Sequence, residues 1–268
     1  DPNGLKYAVS YANDVALFGL SFDTKLSPLS RVYGEFAVRS NAHLNWNGND
    51  LLTAALQPLV VNAALNVAKG LNKLPLGSSY DAFDRLRATS ASLGGNQVFP
   101  AALGAERVIV VAELGVSHVD DLPNPAVMRY GRAFSYGTAP NVQLNGTMSA
   151  CSEAIQANGI PAGVAGKTCT YDGFVSTDAV GLRMNISARY PNALLGATLV
   201  PSLYIAKDIS GYSYDGVYSQ GRLTLRPSVR AEWGKDYFVD VLYTRLTGGD
   251  YNILADRSNL QLVAGMKF

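Results

Sequence analysis

The feature that most constrains this chain is a strict two-residue alternation at its C-terminal end. Leu260, Leu262, Ala264, Met266 and Phe268 alternate with Asn259, Gln261, Val263, Gly265 and Lys267. Side chains with a period of two point to opposite faces of a strand, whereas a helix would mix the two sets. The pattern recurs over 220–233, where Leu223, Leu225, Pro227, Val229, Ala231 and Trp233 oppose Arg222, Thr224, Arg226, Ser228, Arg230 and Glu232. It appears again over 177–190, where Val180, Leu182, Met184 and Ile186 oppose Gly181, Arg183, Asn185, Ser187 and Arg189. Further strands are expected near 14–26, 31–41, 82–94, 106–118, 196–209 and 236–247. The spacing therefore predicts about nine strands of roughly 11 to 14 residues, each long enough to cross a bilayer at a barrel tilt.

Composition agrees with membrane strands. Charged residues make up 16% of the chain, below the roughly 25% of soluble domains, and 26 Gly and 15 Tyr suit tight turns and interface aromatics. With Lys and Arg totalling 22 against 21 Asp and Glu, no basic field exists to attract nucleic acid. The longest apolar stretch, 51–71, contains Gln57, Pro58, Asn62, Asn66 and Lys69 and is too polar for a lipid-exposed helix. Asp1 opens the chain without a Met or a charged and apolar leader, so any signal peptide is expected to have been removed.

Connection lengths alternate. Tight links are expected at 27–30, 191–194 and 234–236, with a longer one at 95–105; long loops fall at 42–81, 119–176, 210–219 and 248–257. Outer-membrane barrels pair short periplasmic turns with long extracellular loops, which places the C-terminus in the periplasm and the 119–176 loop outside the cell. The expected fold is all-β, an antiparallel up-and-down transmembrane β-barrel spanning residues 1–268 as a single domain, with Phe268 on a lipid-facing row. Bacterial barrels have even strand numbers, and the strand at 14–26 starts on the extracellular side, so a further strand or half-barrel is expected to precede it. A soluble β-sandwich would also alternate, but its strands are shorter and its apolar face is internal. Pro201 and Pro227 lie mid-strand, where local bulges are expected.

Residues 82–86 (AFDRL), 102–123 (ALGAERVIVVAELGVSHVDDLP), 199–212 (LVPSLYIAKDISGY) and 246–268 (LTGGDYNILADRSNLQLVAGMKF) carry a family likeness. The chain, from about Leu5 onward, resembles the C-terminal half of a proteobacterial outer-membrane family catalogued as a domain of unknown function. Genes of that family neighbour those of a lipoprotein-sorting-like protein and a hydrophobe-exporting inner-membrane pump. The resemblance implies an outer-membrane location in a Gram-negative bacterium and traffic in lipids or other hydrophobic or amphipathic compounds. The implied partners are outer-membrane lipids, the barrel-assembly machinery, a periplasmic lipid carrier and an inner-membrane pump. It supplies no catalytic residues, and relatives about twice as long imply an absent upstream half.

Four constellations could carry function. Arg222, Arg226 and Arg230 recur on one strand face, and Arg183 and Arg189 repeat that facing on another; in a barrel they point into the lumen. They could hold an anionic head group in bidentate fashion, or pair with Glu232, Glu113, Glu35 and Asp240 in a network that conducts nothing. Within the 42–81 surface loop, residues 49–71 read as two short helices broken at Pro58 and capped by Asn49 or Asp50. They form either a plug that receives a ligand or a loop folded inward to brace the wall. Cys151 and Cys169, the only cysteines, share one loop and would form a disulfide in an oxidising compartment. Closing about 19 residues would contribute roughly 3 kcal/mol in the chain-entropy account. No metal site or cofactor is expected, because neither a CxxC spacing nor a nearby histidine accompanies the cysteines. With only His43 and His118 present, little supports Ser-His catalysis, and the expectation is transport of amphipathic compounds, or a structural or assembly barrel, rather than an enzyme.

Overall fold

In a computed structural model the described residues are 8–9, 13–55, 64–75, 77–140, 143–144, 148–149, 166–234 and 236–266. Nine strands form one antiparallel up-and-down sheet: β1 (Leu17–Ser27), β2 (Ser30–Asn45), β3 (Phe83–Pro100), β4 (Arg107–Val119), β7 (Asp178–Leu194), β8 (Ala197–Ser210), β9 (Leu223–Trp233), β10 (Tyr237–Thr247) and β11 (Asn259–Met266). A separate two-residue pair, β5 (Gln143–Leu144) and β6 (Met148–Ser149), lies in the longest connection. Each long strand pairs with its sequence neighbour in the sheet, and β1 and β11 are its two edges. Only one large sheet is present among the described residues, which removes the sandwich alternative.

The registers divide the sheet cleanly, because residues paired across strands share a face. One row runs Arg31, Asn96, Val111, Asn185, Tyr204, Arg226. The next runs Val32, Gly95, Ala112, Met184, Ile205, Leu225. The first face is polar, the second apolar, and the apolar one stays uncovered: Leu20, Leu93, Leu114 and Leu262 are 68%, 59%, 46% and 74% exposed. The apolar row continues from Leu225 to Arg245, and while Val32 is the third residue of β2, Arg245 is the ninth of β10. Both strands start from short turns, so the strands are staggered across the sheet in the manner of a tilted barrel wall.

Several expectations need correction. Strands β2, β3 and β7 are longer than expected, reaching Asn45, Pro100 and Leu194, and the connection expected at 95–105 shrinks to 101–106. The prolines produce no bulge: Pro201 pairs with Val229 and Leu203 with Pro227 in unbroken register. Instead, ladder partners are missing beside each one, towards β7 at Pro201 and towards β10 at Pro227. This is the local cost of a missing N–H, and it leaves the register alone. Register shifts occur elsewhere, at 25/27, 39/42, 180/181 and 190/194. Phe268 and Cys151 lie outside the described residues; Cys169 is not a free thiol.

The described parts of the long connections do not stand away from the sheet. Helix α1 (Gly48–Ala55) is capped by Asn47, not by Asn49 or Asp50: its side-chain oxygen accepts from the backbone N–H groups of Asn49 and Asp50 at 3.1 and 3.3 Å. Helix α2 (Ala64–Lys69) ties Lys69 to Asp84 at the start of β3 at 2.6 Å. Asp84 also accepts from Trp46 Nε1 at 3.0 Å and the Tyr130 hydroxyl at 2.7 Å. Residues 56–63, around Pro58, lie outside the described set. The buried cluster includes Leu44, Trp46, Ala54, Leu65, Ala88, Val119, Met128 and Tyr130, so helices and loop pack on the polar face at the loop end of the sheet. Of the two readings of the helical segment, this placement matches an inward-folded brace.

Candidate functional site

All five arginines singled out in the sequence, and Glu113, lie on the polar face, and the structure separates them into three groups. At the loop end, Asp208, whose side chain is 2% exposed, accepts from Arg183 at 2.7 Å and from Arg222 Nε at 2.6 Å. The backbone N–H of Ser219 donates to the same carboxylate at 2.9 Å. At the turn end, Arg230 makes a two-point pair with Asp240, 2.7 Å at each oxygen, and its guanidinium lies 4.6 Å from the Phe238 ring centre. Arg189 reaches Glu232 at 3.2 Å and Glu106 at 3.5 Å. Between these groups Arg226 stands over the Tyr204 ring at 4.9 Å, with no carboxylate in ion-pair reach among the described residues.

The ion-pair network thus exists but differs in membership from the one expected. Glu232 and Asp240 belong to it. Glu113 makes no ion pair among the described residues, although Arg183 is its register partner, and neither does Glu35. Asp208 takes two arginines at once, a pairing that the sequence pattern does not indicate. Its parity puts it on the polar face, but its loop-end position gave no sign that the following loop would fold back to bury it.

That fold-back defines the rest of the site. Residues 211–222 run from β8 to β9 across the polar face, and their own hydrogen bonds make them compact: Ser213 Oγ receives the N–H of Tyr218 at 2.8 Å and donates to Asp215 at 2.7 Å. Tyr218 lies over the cross-strand pair Gly115 and Gly181, where a Cβ at Gly181 would meet the ring at 2.5 Å. Burial pushes its phenol upward, so the hydroxyl stays protonated. Further along, Tyr214 accepts from Arg39 of β2 at 3.3 Å, so the segment spans the face from β9 to β2.

On the far side of this segment the loop residues surround an open cavity of about 990 Å³. Tyr212 and Tyr251 line it, and Tyr251 meets Tyr136 edge-on at 5.0 Å. Arg132 stacks on Phe174 at 4.0 Å and donates to the carbonyls of Thr170, Asp172 and Gly137, binding the loop into one unit. Burial pulls its guanidinium down to about 10, still charged at neutral pH. No group of histidine, cysteine or carboxylate side chains suited to a metal occurs among the described residues. No helix there is long and apolar enough to cross a membrane, which has no bearing on strands.

Comparison with known proteins gives one match. The model of a family described as "Protein of unknown function (DUF1302)" matches residues 1–268. The chain belongs to this family. No curated protein and no solved structure matches it. Membership in the DUF1302 family brings no assigned activity, so the chemistry of the polar face and its loops is what a functional reading can use.

Proposed function

We propose that this chain forms part of the wall of a transmembrane β-barrel in a Gram-negative outer membrane, through which hydrophobic or amphipathic, lipid-like compounds pass. The observation that carries the reading is the division of the sheet into an exposed apolar face and a polar face covered at one end by loops. A contiguous apolar surface across nine strands is far larger than soluble monomers tolerate, and lipid removes its cost. Outward charges fit that placement: Arg85, Arg87, His118, Lys207 and Arg245 all lie towards the loop ends of their strands, at the height of a headgroup region. The loop ends then face the exterior and the turn ends the periplasm. Edges β1 and β11 run in the same direction, so antiparallel closure takes an odd number of further strands, giving an even total. Outer-membrane lipids and the barrel-assembly machinery are the partners of such a wall, with a periplasmic lipid carrier and an inner-membrane pump supplying or removing cargo. No cofactor enters the scheme, and a Cys151–Cys169 bridge would staple the exterior loop.

Arg226 is the group best suited to the acidic end of a cargo, because Arg183, Arg189, Arg222 and Arg230 already have carboxylates. In proteoliposomes of the full-length protein, Arg226→Gln is expected to slow oleate transfer roughly tenfold, the effect of losing one charge-assisted hydrogen bond of about 1.5 kcal/mol. Transfer of oleyl alcohol and heat-stability should hardly change. Arg230→Gln is expected to lower heat-stability, because Asp240 loses its two-point partner. A second reading, a structural barrel that conducts nothing, draws on those same paired arginines. Transfer of both ligands at the protein-free rate would favour it and overturn transport.

A further inference from the structure

We infer that residues 211–222 form a fixed constriction on the inner wall, and that Tyr218, seated in the notch made by Gly115 and Gly181, sets the width of cargo the wall admits. The inference rests on the barrel reading above and adds the residue that determines size selection.

Three observations support it. The notch is built for an aromatic ring: Gly115 and Gly181 are register partners on β4 and β7, and any side chain on either would overlap Tyr218. An aromatic ring laid over a glycine of the neighbouring strand is a recurrent device in this sheet, with Tyr33 over Gly94 and Phe238 over Gly265. In those cases the ring comes from an adjacent strand and lies flat on the wall. Tyr218 alone brings a loop with it.

The segment is anchored at both ends of its path. Asp208 accepts from Ser219 N–H and Arg222, Arg183 donates to the Val217 carbonyl at 3.3 Å, and Arg222 donates to the same carbonyl. The guanidinium of Arg183 also lies 5.4 Å from the Tyr218 ring centre. At the other end Tyr214 packs against the buried cluster and meets Arg39. Two arginines that sequence alone offers as cargo ligands are therefore holding the segment down. The tip, Asp215, Gly216 and Val217, is exposed, so the segment occupies space beside the wall instead of being buried within it.

The anchors on Asp208 are short and its carboxylate is buried, so the constriction is constitutive and needs no closing motion. Below it, towards the turn end, lie Tyr204 and Arg226, so cargo entering from that side meets the free guanidinium before the constriction. Selection by pore width is independent of charge, and it should act on neutral solutes.

The test is passage of neutral sugars of increasing size through proteoliposomes of the full-length protein, with oleate transfer measured alongside. Tyr218→Ala is expected to raise the rate for a tetrasaccharide about two- to threefold relative to arabinose, because the ring no longer fills the notch. Tyr218→Phe keeps the ring and should behave as the parent protein, which separates a loss of width control from a loss of folding. Equal size dependence in all three proteins would overturn the inference, as would identical behaviour of the Ala and Phe variants. If sugars discriminate as expected while oleate never crosses, the constriction stands and the cargo class of the preceding reading falls. If no solute crosses in any variant, the constriction fails together with an open lumen.

Discussion

Arg129→Met is expected to destabilise the protein by about 3–5 kcal/mol, because it strands a buried carboxylate. Asp50 and Arg129 are 2% and 0% exposed, and Arg129 grips both carboxylate oxygens at 2.7 Å. Arg129 also donates to the Pro125 carbonyl at 3.0 Å, so the pair joins helix α1 to the connection after β4. Removing both partners is a different matter. Asp50→Leu combined with Arg129→Met replaces two desolvated charges with apolar groups of related size, and the double variant should recover most of the lost stability. Chemical or thermal unfolding of the three proteins checks the order: parent and double variant close together, single variant far below. A single variant as stable as the parent would mean that water reaches Asp50 and the loop-end cap is looser than its packing indicates.

The second large effect concerns the apolar face. Leu114→Arg places a charge on the uncovered side of β4, and in a bilayer this costs about 2–4 kcal/mol near the midplane. Asn185→Lys places one on the opposite face of the neighbouring strand, where a change at an accessible polar position is expected to stay within about 0.5 kcal/mol. Unfolding in lipid vesicles measures both. The difference between them is the informative quantity, since a sheet wetted on both sides would treat the two alike.

How far the sequence alone leads is clear from particular elements. Strands β7, β9, β10 and β11 are legible because a period of two leaves each residue only one face, and Arg226 and Leu225 could be assigned to opposite sides without coordinates. The end of β2 is hard to read because Ala42 and Leu44 follow the register shift at 39/42, where the alternation loses its phase, and β3 runs on to Pro100 through Gly94, Gly95, Asn96 and Gln97, which carry no apolar alternation. What parity cannot convey is which loop returns to which face. Asp208 and Arg222 are only 14 positions apart, yet their pairing depends on residues 211–222 turning inward. Asp50 and Arg129 are 79 positions apart and meet through two irregular connections. No periodic signal links such residues, because loops carry no fixed repeat to be read. The same holds for Tyr218: the two glycines look like ordinary strand glycines until the ring above them is seen.

The central claim, that one face of this sheet meets lipid while the other meets water, is tested most directly by nitroxide labels placed singly along β10, with collisional relaxation by oxygen and by a water-soluble nickel chelate. Val239, Val241 and Tyr243 lie on the apolar face and Leu242 and Thr244 on the polar one. In reconstituted full-length protein, labels at 239, 241 and 243 should relax strongly with oxygen and weakly with the chelate, and labels at 242 and 244 should show the reverse. Equal access of the chelate to all five positions would contradict the account.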